Sequence, residues 1–286
     1  MFSSLTVRSA NATFDALALG ADDYVTKPSS LGGSAGQVAA VGAELIAKIK
    51  LHIFRRTNSK SAASPLVTTS RGPATAATVA TVRKDVDVVV IGVSTGGPNA
   101  LAELMLSIPG DLPAPILIVQ HMPPVFTKIL SQRLNANSRV RVEEACPGDR
   151  LEAGRAFIAP GNYHMAVHRS GLMVNVQMNQ NPPENFCRPS ADVLFRSAAA
   201  VYGSGTLAVV MTGMGRDGLC GCQAVRSCNG QVVVQDEASS VVWGMPGFVA
   251  RAGLADAVVP LAELGGEITR RVRKPCRSVK ARTIAL

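Results

Sequence analysis

The chain has 286 residues, 47% of them hydrophobic, which is enough for one sizeable core, and no apolar run approaches the roughly 20 residues that cross a bilayer. The net charge of +9 comes from the two ends of the chain. Residues 1–84 hold 10 basic and 4 acidic groups, and residues 270–286 hold 7 basic groups and no acidic ones, whereas residues 85–269 hold 12 basic and 16 acidic groups. Because basic tails are usually solvated and the chain has only three tyrosines and one tryptophan, we expect no nucleic-acid partner. Since no apolar run is long enough to cross a bilayer, we also expect no membrane insertion.

The N-terminal 84 residues predict a few short elements and then a linker. The elements are a helix at Thr13–Leu19 closed by Gly20, a short strand ending at Lys27–Pro28, and a helix over Gln37–Arg56. Residues 57–84 are rich in Ser, Ala and Thr and have no periodicity, which predicts a flexible linker. Polar residues follow Met1 without the apolar stretch of a signal peptide, so we expect a cytoplasmic protein.

A strand, a tight turn and a helix are predicted around Ser94. The β-branched run Val88–Val93 is typical of a buried strand, Gly96 and Gly97 permit a sharp turn, and Pro98 fits the first turn of a helix. This is the context of a nucleophile elbow, which presents a serine at the turn. A glycine-rich turn with an idle serine fits the pattern alone about as well. A dinucleotide-binding loop fits less well, because Ser94 occupies the place of a required glycine.

Strands and helices alternate from Asp85 onward, which predicts a doubly wound, mostly parallel, three-layer α/β sheet of Rossmann-like type. Residues 85–272 form this domain, and residues 273–286 form a basic tail. Residues 141–176 predict a mostly antiparallel insertion at the sheet edge. The remaining predicted strands and helices are Pro115–His121, Met122–Leu134, a helix begun at Arg188 with Ser190 as its cap, Leu207–Met211, Gln231–Gln235, Ala257–Pro260 and a last helix ending near Val272.

The cysteines show no C-x-x-C pairing and no nearby histidine at zinc spacing. We therefore expect reduced thiols and no metal or cofactor. The six are Cys146, Cys187, Cys220, Cys222, Cys228 and Cys276.

Three chemically active residues each follow a predicted parallel strand: Ser94, His121 and, in the loop Thr212–Gly218, Asp217. Parallel strands end at one sheet edge, so these residues fit a nucleophile, a general base and an orienting acid. Asp217 could instead be only a helix N-cap. The chain order also differs from the Ser-Asp-His order of α/β-hydrolases. His164 and His168 are expected to be structural or surface residues.

Several motifs, in this order, resemble those of the chemotaxis protein-glutamate methylesterase (CheB) family. They are Ile91–Pro98, Val119–Pro123, Ile158–Gly161, Arg188–Ser190, Thr212–Gly218 and Gly244–Pro246. The resemblance implies Ser94 as nucleophile, His121 as base and Asp217 as acid, with Thr95 as an accessory hydroxyl and Met214 as an oxyanion donor through its N–H. It implies hydrolysis of glutamate γ-methyl esters on chemoreceptors, with release of methanol, and deamidation of receptor glutamines. A nucleotide-binding α/β module is the alternative.

Residues 1–28 resemble the last third of a response-regulator receiver domain. In that resemblance Lys27 is the lysine that contacts a phosphoryl group, and Ser3 is the hydroxyl residue at the end of the preceding strand. The acidic cluster and the phosphate-accepting aspartate of a receiver are absent from this sequence. We therefore expect residues 1–56 to be an incomplete receiver remnant, activity to be independent of a phosphodonor, and the chemotaxis histidine kinase to be a partner only of a full-length receiver.

Overall fold

The computed structural model describes residues 1–21, 23–27 and 85–273, together with helical positions at 39, 41–43, 45, 46, 48–50 and 53. The chain divides into two compact units, Met1–Lys84 and Asp85–Leu286. The predicted linker and residues 274–286 of the predicted tail lie outside the described residues. No helix in the described part is long and apolar enough to cross a membrane.

The N-terminal unit begins with β1 (Phe2–Ser3), α1 (Val7–Ala18) and β2 (Val25–Thr26). The two short strands pair in parallel, and the helix connects them along the chain. The helix begins earlier than the predicted Thr13, because the Thr6 hydroxyl accepts a hydrogen bond from Ser9 N–H and caps it. It ends before Gly20, whose φ of 103° suits glycine. The assignment of residues 1–56 to a receiver remnant stays a prediction.

The second unit is built on a seven-stranded, entirely parallel sheet in the order β11-β10-β9-β3-β4-β6-β5. Its strands are β3 (Val88–Val93), β4 (Ile116–Gln120), β5 (Arg141–Glu144), β6 (Arg155–Ile158), β9 (Thr206–Val210), β10 (Gln231–Gln235) and β11 (Ala257–Val259). The helices are α2 (Gly97–Ser107), α3 (Phe126–Asn137), α4 (Ala191–Tyr202), α5 (Leu219–Ser227), α6 (Met245–Arg251) and α7 (Leu261–Val272). The doubly wound sheet predicted from sequence is confirmed.

The central strands are apolar because both of their faces are covered. Every residue of β3, β4 and β9 is buried. Val88 and Val90 pack in one core with residues of α4, α5 and α6, and the alternate residues of β3 point to the opposite face. Strands of this kind give the continuous hydrophobic runs from which they were predicted.

The predicted antiparallel insertion at residues 141–176 is wrong for its first half. β5 and β6 are parallel strands of the main sheet, and β6 pairs with both β4 and β5. The segment Cys146–Asp149 is a turn, in which Cys146 N–H donates to Asp149 Oδ2 at 2.7 Å. Among the strands of the described residues, β7 (His164–Ser170) and β8 (Met173–Asn179) form the antiparallel pair. β5 gives no hydrophobic run in the sequence, because Val142 is its only buried residue.

Helices α4 and α5 meet closely at Gly221, where a Cβ atom would lie 2.5 Å from Phe195 Cβ. Gly221→Ala should lower the free energy of unfolding by about 1–3 kcal/mol, because the two helices must separate. Gly266→Ala is the matched control: Gly266 is an exposed position inside α7, with nothing within 4 Å of an added Cβ. Alanine there should raise the free energy of unfolding by up to about 1 kcal/mol. Urea denaturation measures both, and a loss of similar size for the two variants would contradict this packing.

Candidate active site

Ser94 lies between two neighbouring strand ends at the carboxyl edge of the sheet. It follows β3, which pairs with β4 on one side and β9 on the other. His121 N–H donates to Val93 O at 3.2 Å, and Ser94 N–H donates to Thr212 O at 3.0 Å. The order of strands along the chain reverses between β3 and β9, and open α/β sheets place their sites at such a point.

The turn that carries Ser94 needs glycine at two positions. Gly96 has a φ of 76° and lies against Val241, and a Cβ at Gly97 would collide with Gln120 Oε1. The same Gln120 side chain donates through Nε2 to Ser94 O at 3.0 Å. The predicted strand–turn–helix elbow is therefore present, and the last side chain of β4 supports the turn after β3.

Asp217 is a buried carboxylate, 2% exposed, with hydrogen bonds at both oxygens. Oδ2 lies 2.8 Å from His121 Nε2 and accepts from Ala191 N–H at 2.6 Å. Oδ1 accepts from Ser190 Oγ–H at 2.7 Å, from Asn185 Nδ2 at 3.1 Å and from Asp192 N–H at 3.2 Å. Asp217 thus holds the histidine on one side and the first turn of α4 on the other.

This arrangement changes two predicted capping roles. Ser190 stands at the N-cap position of α4 as predicted, but its hydroxyl makes no capping bond to its own helix and donates to Asp217. Asp217 does satisfy helix N–H groups, but those of α4. The helix that follows Asp217 in the chain, α5, begins after Gly218 with no side-chain cap. A cap supplied by a distant segment cannot be read from local sequence.

The pKa values of the pair shift in opposite directions. Burial alone would raise the pKa of Asp217, but hydrogen bonding and charge from His121, with the Ser190 hydroxyl and Ala191 N–H, lower it to about 2. Burial alone would lower the pKa of His121, but hydrogen bonds to Asp217 and Cys187 raise it well above the ordinary value. The contact with the Asp217 carboxylate therefore favours the protonated form of the imidazole, which makes His121 a stronger base.

Cys187 is a site residue that sequence reasoning missed. Its Sγ lies 3.6 Å from His121 Nδ1, the ring nitrogen that Asp217 does not use, and 3.4 Å from Asn185 O. The backbone reaches this position through Asn185 and Phe186, both with positive φ. The available signal was its place directly before the motif Arg188–Ser190.

Thr95 and Met214 also lie at this edge. Thr95 is buried, and its carbonyl accepts from Thr212 Oγ1 at 2.9 Å. Met214 follows Gly213, where a Cβ would lie 2.8 Å from Ser94 Cβ. Within the described ranges, Met214 N–H has no hydrogen-bond acceptor and Ser94 Oγ has no hydrogen bond to His121.

The other two predicted histidines lie outside this group. His164 is buried on β7 with Nε2 3.2 Å from Pro182 O, and His168 is exposed on the same strand. The described cysteines, which exclude Cys276, are all free thiols.

A serine elbow beside a histidine–aspartate pair, at one edge of a doubly wound sheet, defines an α/β protein of the serine-hydrolase type. The family model for CheB methylesterase matches residues 89–268. The chain belongs to the CheB methylesterase family.

Named relatives and a solved structure agree with this membership. The chain is 49% identical to a protein-glutamate methylesterase/protein-glutamine glutaminase of Trichodesmium erythraeum, over 95% of this chain and 77% of that protein. It is 44% identical to the protein of the same name in a Nocardioides species, over 96% and 75%. The crystal structure of the Thermotoga maritima CheB methylesterase catalytic domain matches 65% of this chain and 99% of that one, with 38% identity and a TM-score of 0.64.

Asp217→Ala should lower the free energy of unfolding by about 3–5 kcal/mol at about pH 6, because it leaves the buried donors at the start of α4 and the buried His121 ring without their acceptor. The folded-state pKa of Asp217 is depressed, so its contribution is complete above the ordinary value of about 3.9 and is lost as the pH falls toward about 2. The folded-state pKa of His121 is raised, so its contribution is complete below about 6.5. The difference between wild type and variant, from urea denaturation, should shrink between about pH 4 and pH 2. Asp111→Ala, which removes an exposed carboxylate paired with Arg273, should stay close to wild type throughout.

Proposed function

We propose that this chain hydrolyses glutamate γ-methyl esters on methyl-accepting chemoreceptors, releasing methanol, and deamidates receptor glutamines. The observation that carries the proposal is the His121 Nε2–Asp217 Oδ2 contact of 2.8 Å beside the Ser94 elbow, in a chain of the CheB methylesterase family. Relatives bear both activities in their names. A γ-methyl ester and a γ-amide share the same acyl carbon and differ only in the leaving group, so one serine site serves both.

In this proposal Ser94 is the nucleophile and His121 the general base. Asp217 occupies Nε2 of the imidazole, so Nδ1 takes the proton from the Ser94 hydroxyl as Oγ attacks the ester carbon. The same proton then goes to the departing methoxide, which leaves as methanol. A water molecule attacks the acyl-serine and gives its proton to Nδ1, which passes it to Ser94 Oγ as the bond between Oγ and the acyl carbon breaks, leaving a free glutamate side chain. No metal or cofactor takes part in these steps.

Asp217 would act by fixing the histidine. Its hydrogen bonds with Ser190, Ala191 and Asp192 hold the carboxylate against the N-terminus of α4. A rotation of the imidazole ring would therefore break its hydrogen bond with the carboxylate. The imidazole is thereby kept in one orientation, with Nε2 on the carboxylate and Nδ1 left to act as the base. The carboxylate also stabilises the imidazolium that forms when Ser94 loses its proton.

Two features support an oxyanion site beside Ser94. Met214 N–H has no acceptor among the described residues and lies next to Gly213, which packs against Ser94. Helix α2 begins at Gly97, so the positive end of its dipole lies close to the serine. We propose that Met214 N–H donates to the tetrahedral oxyanion and that Thr95 supplies an accessory hydroxyl.

The nucleotide-binding alternative lacks support in the same turn. A dinucleotide loop uses glycines so that a pyrophosphate can approach the backbone. Here the space beside Gly97 is filled by Gln120, and the space beside Gly96 is filled by Val241. The side chains of Gln120 and Val241 therefore occupy the space in which a bound pyrophosphate would lie against these glycines.

Ser94→Ala and His121→Ala should each lower turnover by about 10⁴-fold, because each removes one half of the nucleophile–base pair. Release of methanol from methylated receptor membranes measures this. His168→Ala is the matched control, since His168 is exposed on β7 and should retain full activity. Near-normal methanol release by Ser94→Ala would refute the nucleophile assignment.

An exposed phenylalanine beside the site suits a protein substrate. Phe186 is fully exposed at 103% and directly precedes Cys187 in the chain. Burying such a side chain against a partner is worth about 1.5–3 kcal/mol. We propose that Phe186 contacts the receptor helix that carries the modified glutamate.

Phe186→Ser should therefore raise KM for methylated receptor membranes about tenfold or more, with a small change in kcat. Leu172→Ser is the matched control, because Leu172 is equally exposed, at 99%, but lies in the turn between β7 and β8. A small soluble methyl ester should be hydrolysed equally well by both variants. Equal KM values for the two variants on receptor membranes would contradict a docking role for Phe186.

A further inference from the structure

Three side chains with metal-binding atoms converge at this edge of the sheet. One ligand atom from each of Cys187, His121 and Asp217 lies within 4.8 Å of those of the other two. Asp217 is already committed to His121 Nε2 and to α4, which leaves Cys187 Sγ and His121 Nδ1 facing each other at 3.6 Å. The two are separated by 66 positions in the chain, so no local spacing pattern reveals the pair.

The separation of the two atoms equals the edge of a tetrahedral zinc site. With a Zn–S distance of about 2.3 Å, a Zn–N distance of about 2.05 Å and a tetrahedral angle, sulfur and nitrogen lie about 3.6 Å apart. The observed Sγ–Nδ1 distance is 3.6 Å. The two atoms are therefore at a distance that one tetrahedral ion spans.

The second nitrogen of the imidazole is arranged as in metal sites. Histidines that bind metals almost always donate their other ring N–H to a carboxylate or a carbonyl, which fixes the ring and makes the ligating nitrogen more basic. His121 has this partner in Asp217, at 2.8 Å. The hydrogen bonds from Ser190 and Ala191 in turn hold the carboxylate.

The donor atoms select the kind of metal. A thiolate and an imidazole favour Zn²⁺ and other thiophilic divalent cations, while Mg²⁺ requires oxygen ligands. Cys187 binds the ion as a thiolate, so binding displaces the thiol proton to water. Water molecules complete the coordination shell, as they do in sites with few protein ligands.

We propose that Cys187 and His121 form an inhibitory site for a thiophilic divalent cation. An ion held by Cys187 Sγ and His121 Nδ1 occupies the nitrogen that must take the proton from Ser94, so turnover stops until the ion leaves. The inhibition rests on the proposed function, because it requires Nδ1 to be the working base. The binding of the metal does not.

Binding is tested first, with Co²⁺ as a spectroscopic probe on the full chain. Wild type and Cys146→Ser should show a thiolate-to-cobalt charge-transfer band that saturates at one ion per chain, since Cys146 is an exposed thiol outside this group. Cys187→Ser and Cys187→Ala should both lose the band, and His121→Ala should weaken binding about tenfold or more. Far-ultraviolet circular dichroism establishes that each variant is folded. A band that persists in both Cys187 variants would overturn the site.

Inhibition is tested next, by methanol release under Zn²⁺ titration, with each protein compared to its own metal-free activity. Wild type and Cys146→Ser should be inhibited and should recover when EDTA is added, while Mg²⁺ should have no effect. Cys187→Ser should require at least about tenfold more Zn²⁺ for the same fractional loss. Equal sensitivity of Cys187→Ser and Cys146→Ser would overturn the proposal.

Stoichiometric Co²⁺ binding without loss of activity would overturn the inhibitory role and the assignment of Nδ1 as base, while leaving the metal site intact. Failure of the proposed function itself shows separately, as methanol release that is absent from metal-free wild type.

Discussion

The buried carboxylate of Asp217 joins three parts of the chain that are distant in sequence. It comes from the loop after β9, caps the first turn of α4 and holds the histidine that follows β4. An ionised carboxylate that is 2% exposed is costly unless its oxygens are fully hydrogen-bonded. The backbone at the start of α4, the side chains of Ser190 and Asn185, and the His121 ring supply these bonds. The position of α4 and the orientation of the imidazole therefore depend on the same side chain.

Close packing around Ser94 explains the small residues that surround it. Gly97 makes room for Gln120, Gly213 makes room for Ser94 itself, and Gly92 lies against Ala191 and Phe195. These contacts bring β3, β4 and α4 together at one point. A larger side chain at these positions would push the strands and the helix apart, and with them Ser94 and His121.

Much of the sheet could be predicted from sequence because its inner strands are covered on both faces. The runs at β3, β4, β9 and β10 are continuous and apolar, and the residues that follow β3, β4 and β9 share an edge by the geometry of parallel strands. The edge strand β5 has only one buried residue and gives no such run. Neither its parallel pairing nor that of β6 could be recognised from hydrophobicity.

The features of the site that sequence missed are all long-range. Cys187 reaches His121 through two residues with positive φ, a backbone path that local propensity does not indicate. The capping of α4 by Asp217 spans 26 positions at Ala191, whereas capping patterns in sequence are read over three or four residues. Sequence identified the residue types and the sheet edge, while the hydrogen-bond partners required coordinates.

The central pairing of β3 with β9 also has a consequence for the order in which the protein folds. Thr212 and Thr95, whose hydrogen bond closes this edge, are 117 positions apart, and His121 and Asp217 are 96 apart. Contacts between such distant positions form only after a large loop has closed, which makes them slow and late relative to local helices and hairpins. A nascent chain that has emerged only as far as β8 contains the elbow serine and the histidine but no carboxylate to hold the ring. In the proposed mechanism, hydrolytic competence therefore arises together with completion of the sheet, because His121 is not held in place before Asp217 reaches it.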